Sequence, residues 1–185
     1  GVGAGGGYAA GAGGGDAEIW RYMPYGQIDA LEEMERLVRS LLRRQAAGTD
    51  LPFCAIEQAS GHPVGMTRYM EIQPEHRGLE IGGTWYARAA RRTAVNTECK
   101  YLLLRHAFET LGCIRVQLKT DSRNVRSQAA IVRIGAQREG VLRKHIILPD
   151  GYQRDSVLFS IVAEEWPGVK ARLEAMLAGR SSTPA

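Results

Sequence analysis

The chain has 185 residues, 44% hydrophobic and 24% charged: long enough for one buried core, too short for two ordinary domains, and too apolar for a disordered protein. Its 24 basic and 20 acidic residues leave a formal charge of +4, which suits an anionic ligand but lacks the basic, aromatic-interleaved stripe of a nucleic-acid binder. No apolar run approaches the roughly 20 residues of a membrane span and no secretory pattern stands at the start, so a cytoplasmic protein without membrane contact is expected.

Residues 1–15, "GVGAGGGYAAGAGGG", are almost wholly Gly and Ala and read either as a flexible linker or as a stretch of doubtful identity. Residues 16–178 read as a single folded domain and 179–185 as a frayed tail. Asp16 is expected to cap a short helix reaching Tyr22, before Pro24. Asp29 then starts a longer helix, with Leu31, Met34, Leu37, Val38, Leu41 and Leu42 at helical spacing and Gly48 as its stop. "FCAIE" and "HPVGMTRYMEI" are strands flanking a Ser-Gly turn. "GLEIGGTWY" is another strand, in which the adjacent Gly82 and Gly83 predict a bulge.

A helix over about Asn96–Leu111 is apolar around most of its surface and should be buried. "RVQLKT" alternates as a strand does, and "NVRSQAAIVRIG" is a helix that ends at Gly135. "GVLRKHIIL" and "QRDSVLFSIV" form a hairpin about Pro149-Asp150-Gly151, and a closing helix runs from about Glu164 to Leu177. The order is α+β (mixed α/β) and excludes a doubly wound dinucleotide fold. Cys54, Cys99 and Cys113 make no C-x-x-C pair and sit in apolar patterns, as reduced core thiols do. Four histidines without metal-ligand spacing predict no metal.

Two helix starts carry candidate chemistry. "RRTAVNTE" joins Arg91 and Arg92 to Thr93, Ala94, Val95 and Asn96 at a helix N-terminus, where unpaired amides and the positive dipole end attract anions; the other reading is a helix that merely caps itself. Asp121 or Asn124 opens the next helix, with Arg123, Arg126 and Ser127 beside it.

The run "LEIGGTWYARAARRTAVNTECKYLLLRHAFETLGCIRVQLKTDSRNVRSQAAIVRIGAQREGVLRKHIILPDGYQRDSVLFSIV", about half the chain, resembles the GCN-five-related N-acetyltransferases (GNAT superfamily), especially the RimJ/RimL ribosomal-protein N-acetyltransferases. "DAEIWRYMPYG" is similar more loosely. The resemblance implies a central mixed, splayed sheet flanked by helices, with a C-terminal hairpin and helix. Acetyl coenzyme A would lie between two parted strands, its pyrophosphate on a Gln/Arg-x-x-Gly-x-Gly/Ala turn. Arg91 matches the first position of that turn, Ala94 stands where Gly is usual, and Asn96 where a small residue is usual. A glycine-free turn can serve if it keeps helix-like dihedrals, with Asn96 able to cap the helix.

By the same resemblance, Trp85 and Tyr86 flank the cofactor, and a backbone amide near Thr84–Tyr86 stabilises the oxyanion. Asn124 and Ser127 match the family's Asn-x-x-Ser beside the thioester. Glu80 is the candidate proton acceptor if burial raises its pKa; the other reading is a strand-edge carboxylate paired with an arginine. Ile131 stands where many relatives carry a tyrosine acid, and Ser127 is the RimL-like candidate for that role; the other reading is an ordinary helix-start serine. Ala136 stands where Phe is common. Trp20 and Tyr22 fall where relatives wall the acceptor pocket, with burial in the core as the alternative.

The implied activity is direct acetyl transfer to a primary amine, most closely a protein N-terminal α-amine. A small-molecule amine such as an antibiotic or amino-acid derivative stands as the alternative, as does a non-catalytic coenzyme A-binding module. An RNA-associated protein is disfavoured, and a homodimer stays open.

Overall fold

The computed structural model describes residues 17–181. The Gly/Ala-rich start, the cap assigned to Asp16 and the last four residues lie outside that range. Helix α1 (Ala17–Trp20) is one turn long and ends before Tyr22, and α2 (Leu31–Ala46) follows. Six strands come next in chain order: β1 (Leu51–Ile56), β2 (Pro63–Gln73), β3 (Gly78–Tyr86), β4 (Arg115–Asp121), β5 (Gln137–Ile147) and β6 (Gln153–Val162). Helix α3 (Val95–Arg105) connects β3 to β4, α4 (Val125–Arg133) connects β4 to β5, and α5 (Trp166–Ser181) follows β6.

Local signals account for most boundaries. Helix α2 starts one residue later than the sequence predicts: Ala30 is its N-cap, and the Glu33 carboxylate reaches back to accept the Asp29 and Ala30 amides at 2.8 and 3.1 Å. Glu33 supplies the cap because Ala30 has no side-chain oxygen. Helix α3 relaxes into a π turn over His106–Thr110, and Gly112 follows at φ +64°. Helix α5 is preceded by a 3₁₀ turn, Ala163–Glu165, in which Glu165 accepts the Val162 amide.

The sheet order is β1-β2-β3-β4-β6-β5, antiparallel except between β3 and β4. Those two strands pair only at Gly78–Arg115, Leu79–Val116 and Glu80–Gln117. Beyond that point no sheet pair joins them, so the sheet splays. Where β2 passes from Met66 to Arg68, β3 passes from Trp85 to Gly82, which places the bulge at the two predicted glycines, with Gly83 at φ +57°.

The two faces of the sheet differ. Leu79 and Ile81 of β3, Val116 and Leu118 of β4, and Phe159 and Ile161 of β6 join Leu103, Leu104 and Leu173 in the core. Tyr69 of β2 joins them, its hydroxyl donating to the Leu103 carbonyl at 2.6 Å. The opposite face carries Glu80, Gln117, Lys119, Ser156 and Ser160, alternate residues whose polar atoms are hydrogen-bonded on that face. All three cysteines are unpaired, but Cys54 is exposed rather than in the core, because it lies on the outward side of edge strand β1.

Candidate active site

Where β3 and β4 part, a cleft of about 770 Å³ opens. That size is within the range of small-molecule sites. Its walls come from the splayed strands, the segment after α1, and the N-terminal ends of α3 and α4. Glu80, Trp85, Tyr86, Arg91, Arg92, Thr93, Asn96, Asn124, Ser127 and Tyr22 all line it. Ala94 and Val95 belong to the same turn without lining the cleft. Trp20 does not line it either: it is 2% exposed and packs on Trp85 with ring centroids 5.1 Å apart, so the core alternative describes its place.

The turn before α3 solves its geometry without glycine. Its left-handed residue is Arg92, at φ +63°, whereas Ala94 is helical at φ −69°, ψ −21°. Thr93 closes the turn: its hydroxyl donates to the Ala90 carbonyl at 2.6 Å and accepts the Val95 amide at 3.3 Å. Asn96 is therefore already inside the helix and does not cap it. Helix geometry leaves the first-turn amides without intrahelical acceptors, and their partial positive charge faces the arginine-rich turn.

Arg91 donates from Nε to the Tyr86 carbonyl at 3.3 Å and from Nη1 to Glu18 at 3.0 Å. Arg126, on α4, reaches the other oxygen of the same carboxylate at 3.4 Å. The Glu18 carboxylate thus bridges the two helix starts. At α4, Asn124 is the N-cap and its Oδ1 accepts the Ser127 amide at 3.0 Å. Asp121 instead holds the preceding turn, accepting the Arg123 amide and guanidinium. Asn124 keeps its amide nitrogen Nδ2 as a donor for a ligand.

Glu80 sits at the fork of the splay and is 3% exposed. Gln117 Nε2 donates to it at 2.9 Å and Lys119 Nζ lies 3.0 Å away. Burial holds its carboxyl above the ordinary value despite these two partners. Its neighbours are therefore a lysine and a glutamine rather than the arginine of the alternative reading. A Cβ at Gly82 would lie 2.9 Å from Glu80 Oε1, so the missing side chain leaves room for this carboxylate. Lys119 also bonds Glu71 at 2.9 Å, a residue held at φ +49° where β2 shifts register against β3.

Several lining residues were not singled out from sequence. Lys119 and His145 lie on alternating strands, where a polar outward face is ordinary. Lys100 is different: it is 6% exposed on a helix whose buried face is otherwise apolar apart from Thr97, and that break in the pattern was the available signal. Its Nζ donates to Thr84 Oγ1 at 3.1 Å, and Thr84 shares a hydrogen bond with Thr67 at 2.8 Å. The Trp85 indole nitrogen is buried without a hydrogen-bond partner among the described residues. Ile131 is buried and brings no hydroxyl to the cleft. No group of residues suited to holding a metal ion occurs among the described residues, and no described helix is long and apolar enough to cross a membrane.

Residues 9–137 match the family model of the acetyltransferase (GNAT) domain. YdaF of Bacillus subtilis (strain 168), named provisionally as a ribosomal N-acetyltransferase, is 31% identical over 110 residues; the match spans 60% of this chain and 59% of that protein, less than two thirds of the relative's length. A protein from T. thermophilus, described provisionally as an acetyltransferase, shares 41% identity at a TM-score of 0.80, over 88% of this chain and 84% of that one. Mycobacterium smegmatis RimJ, solved in complex with CoA-disulfide, shares 25% identity at a TM-score of 0.73, over 88% and 78% of the two chains.

Proposed function

Because the chain belongs to the acetyltransferase (GNAT) family, we propose that it transfers the acetyl group of acetyl coenzyme A to a primary amine, the N-terminal α-amine of a protein. The observation that carries this reading is the early parting of β3 and β4, which leaves a cleft bounded by two helix N-termini and a buried carboxylate. The resemblance to RimJ and to YdaF supports the protein acceptor.

The residues present fit such a cosubstrate. Arg91, Arg92 and the first-turn amides of α3 hold the pyrophosphate, with Arg126 reinforcing the positive field from α4. Asn124 donates its Nδ2 to the pantetheine arm, and the partnerless Trp85 indole offers a further donor. The cosubstrate supplies an acetyl group on a thiol leaving group. Glu80 takes the proton of the attacking amine directly or through one water, since burial keeps its carboxylate more basic than usual. A backbone amide of the Thr84–Tyr86 segment stabilises the charge on the carbonyl oxygen. Glu71 and Tyr22 also line the cleft and are the side chains left to contact the acceptor. Ser127, on the first turn of α4, contributes a hydroxyl to the same wall.

Calorimetric titration with acetyl coenzyme A, followed by mass spectrometry of a panel of N-terminal peptides and small amines, tests the reading. Micromolar binding with acetylation of peptide N-termini supports it. Binding with acetylation of small amines alone replaces the acceptor, and binding without any transfer reduces the protein to a coenzyme A-binding module.

A further inference from the structure

We propose that Lys100 is the proton donor to the thiolate that leaves during acetyl transfer. The inference rests on the reading above and adds a residue to it that neither the family turn nor the Asn-x-x-Ser pattern contains.

A lysine on the buried face of a helix needs an account, because an ammonium taken out of water without a counter-charge is costly. Lys100 is 6% exposed, and its Nζ donates to a neutral hydroxyl, Thr84 Oγ1, at 3.1 Å. Thr84 is itself tied to Thr67 at 2.8 Å, so the hydroxyl pair holds the amine in place without neutralising it. An ammonium has three donors. Lys100 lines the cleft together with Thr84, and on this proposal its remaining donors serve that cleft.

Its position matters as much as its solvation. Thr84 follows the Gly82–Gly83 bulge on β3, beyond the last pair with β4, so Lys100 meets the splay from the apolar face through α3. Glu80 meets it from the polar face. The groups that set Lys100's protonation are Glu80 from β3 and Cys99 from its own helix; Arg133 of α4 is held on Thr97, one turn earlier. Desolvation dominates and brings the ammonium down to about 8, while Cys99 and Glu80 act in the opposite sense. That is close to the ordinary range of a thiol, which suits proton transfer to a thiolate near neutral pH.

The step balances. The amine nitrogen forms the C–N bond, Glu80 takes one proton from it, and the C–S bond breaks. The electron pair leaves with sulfur, which takes a proton from the Lys100 ammonium. Neutral Lys100 regains a proton through cleft water, to which Glu80 returns its own.

Ile131 and Ser127 sharpen the assignment. Ile131 has no proton to give, and Ser127 is a far weaker acid than an ammonium.

The test uses coenzyme A itself as probe. Its thiol is titrated in the complex by thiolate ultraviolet absorbance, with the desulfo-coenzyme A complex as the blank for the protein's own cysteines. In the wild-type protein the bound thiol should titrate about one pH unit or more below the free thiol, an effect that Lys100→Met abolishes. In turnover, Lys100→Met should lower kcat about 100-fold with little change in the KM for acetyl coenzyme A, while Lys100→Arg keeps the charge but loses the alkaline limb of the kcat profile near pH 8. Met matches the aliphatic stem, and thermal melting of each variant confirms that it is folded. An unshifted thiol in the wild-type complex, or a Lys100→Met enzyme with wild-type kcat, overturns the role of Lys100 alone. Absence of coenzyme A binding, or of transfer by the wild-type protein, overturns the enzyme reading as well.

Discussion

Glu80 and Gln117 are the last residues at which β3 and β4 are paired, and the same two side chains bond each other at 2.9 Å. The backbone junction and the candidate base therefore share one location. Glu80→Gln preserves the size and the contact with Gln117 while removing the basic oxygen. Its expected effect is a fall in kcat of about 10²–10⁴-fold with coenzyme A affinity unchanged. The direction of the pKa shift fixes the pH profile. The wild-type rate is lost as pH falls through a value above the ordinary carboxylate range, and that acid limb is missing in Glu80→Gln. Pre-steady-state rates across pH would settle it; a variant as fast as wild type removes Glu80 from the mechanism.

Glu18 occupies Arg91 and Arg126, two of the three arginines that a phosphate would use. A partly exposed pair of this kind contributes only about 0.2–1 kcal/mol, so a doubly charged ligand displaces it readily. Glu18→Gln is expected to tighten coenzyme A binding about two- to five-fold, whereas Arg91→Ala weakens it about ten-fold or more. Calorimetry on the two variants checks the opposite signs, and equal affinities in all three proteins would move the phosphate site elsewhere.

Asn124 has a structural and a proposed ligand role on different atoms, and two substitutions separate them. Asn124→Ser retains a cap on α4, so melting should be nearly unchanged, while coenzyme A affinity falls with the loss of Nδ2. Asn124→Ala loses both and should also destabilise the fold by about 1 kcal/mol. Full affinity in Asn124→Ser would limit the residue to capping.

On the polar face of the sheet, outside the cleft lining, Glu139 forms a paired contact with Arg115 and accepts the Ser160 hydroxyl at 2.7 Å. The Arg115 hydrogen bond holds the Glu139 carboxyl down to about 2. A lowered carboxyl stabilises the fold fully above its ordinary value of 4.5, and that contribution is lost as pH falls toward about 2. Glu139→Gln should therefore flatten part of the acid limb of the stability curve, measured by denaturant melts across that window; a parallel curve would show that the pair contributes nothing.

The strands were legible in the sequence because their signals are local: period-two alternation, the Gly82–Gly83 bulge and the turn about Pro149-Asp150-Gly151; the splay between β3 and β4 was expected only from the family resemblance. The anion-binding turn was legible in composition but not in conformation. Nothing marks Arg92 as the left-handed residue, since the strain there is imposed by Thr93 closing the turn onto Ala90. Trp20 lost its assigned place because Trp85 covers it, a contact between residues 65 positions apart. Lys100 escaped notice for a related reason. A lysine in an apolar helix ordinarily reaches past its neighbours to water. The break in the apolar face was the available signal, and the bond to Thr84 shows that this one turns inward.

The residue alternation along β3 has a wider meaning. A β-sheet is a partition, and chemistry on one side is normally closed to the other. Here the partition has a slot, with an acidic group on one side of it and an ammonium on the other. On the reading proposed above, the proton taken from the acceptor and the proton given to the thiol are handled by different groups during transfer, and cleft water reconciles the two only afterwards. One side serves as drain and the other as source, and the charge on Glu80 links the two by raising the basicity of Lys100.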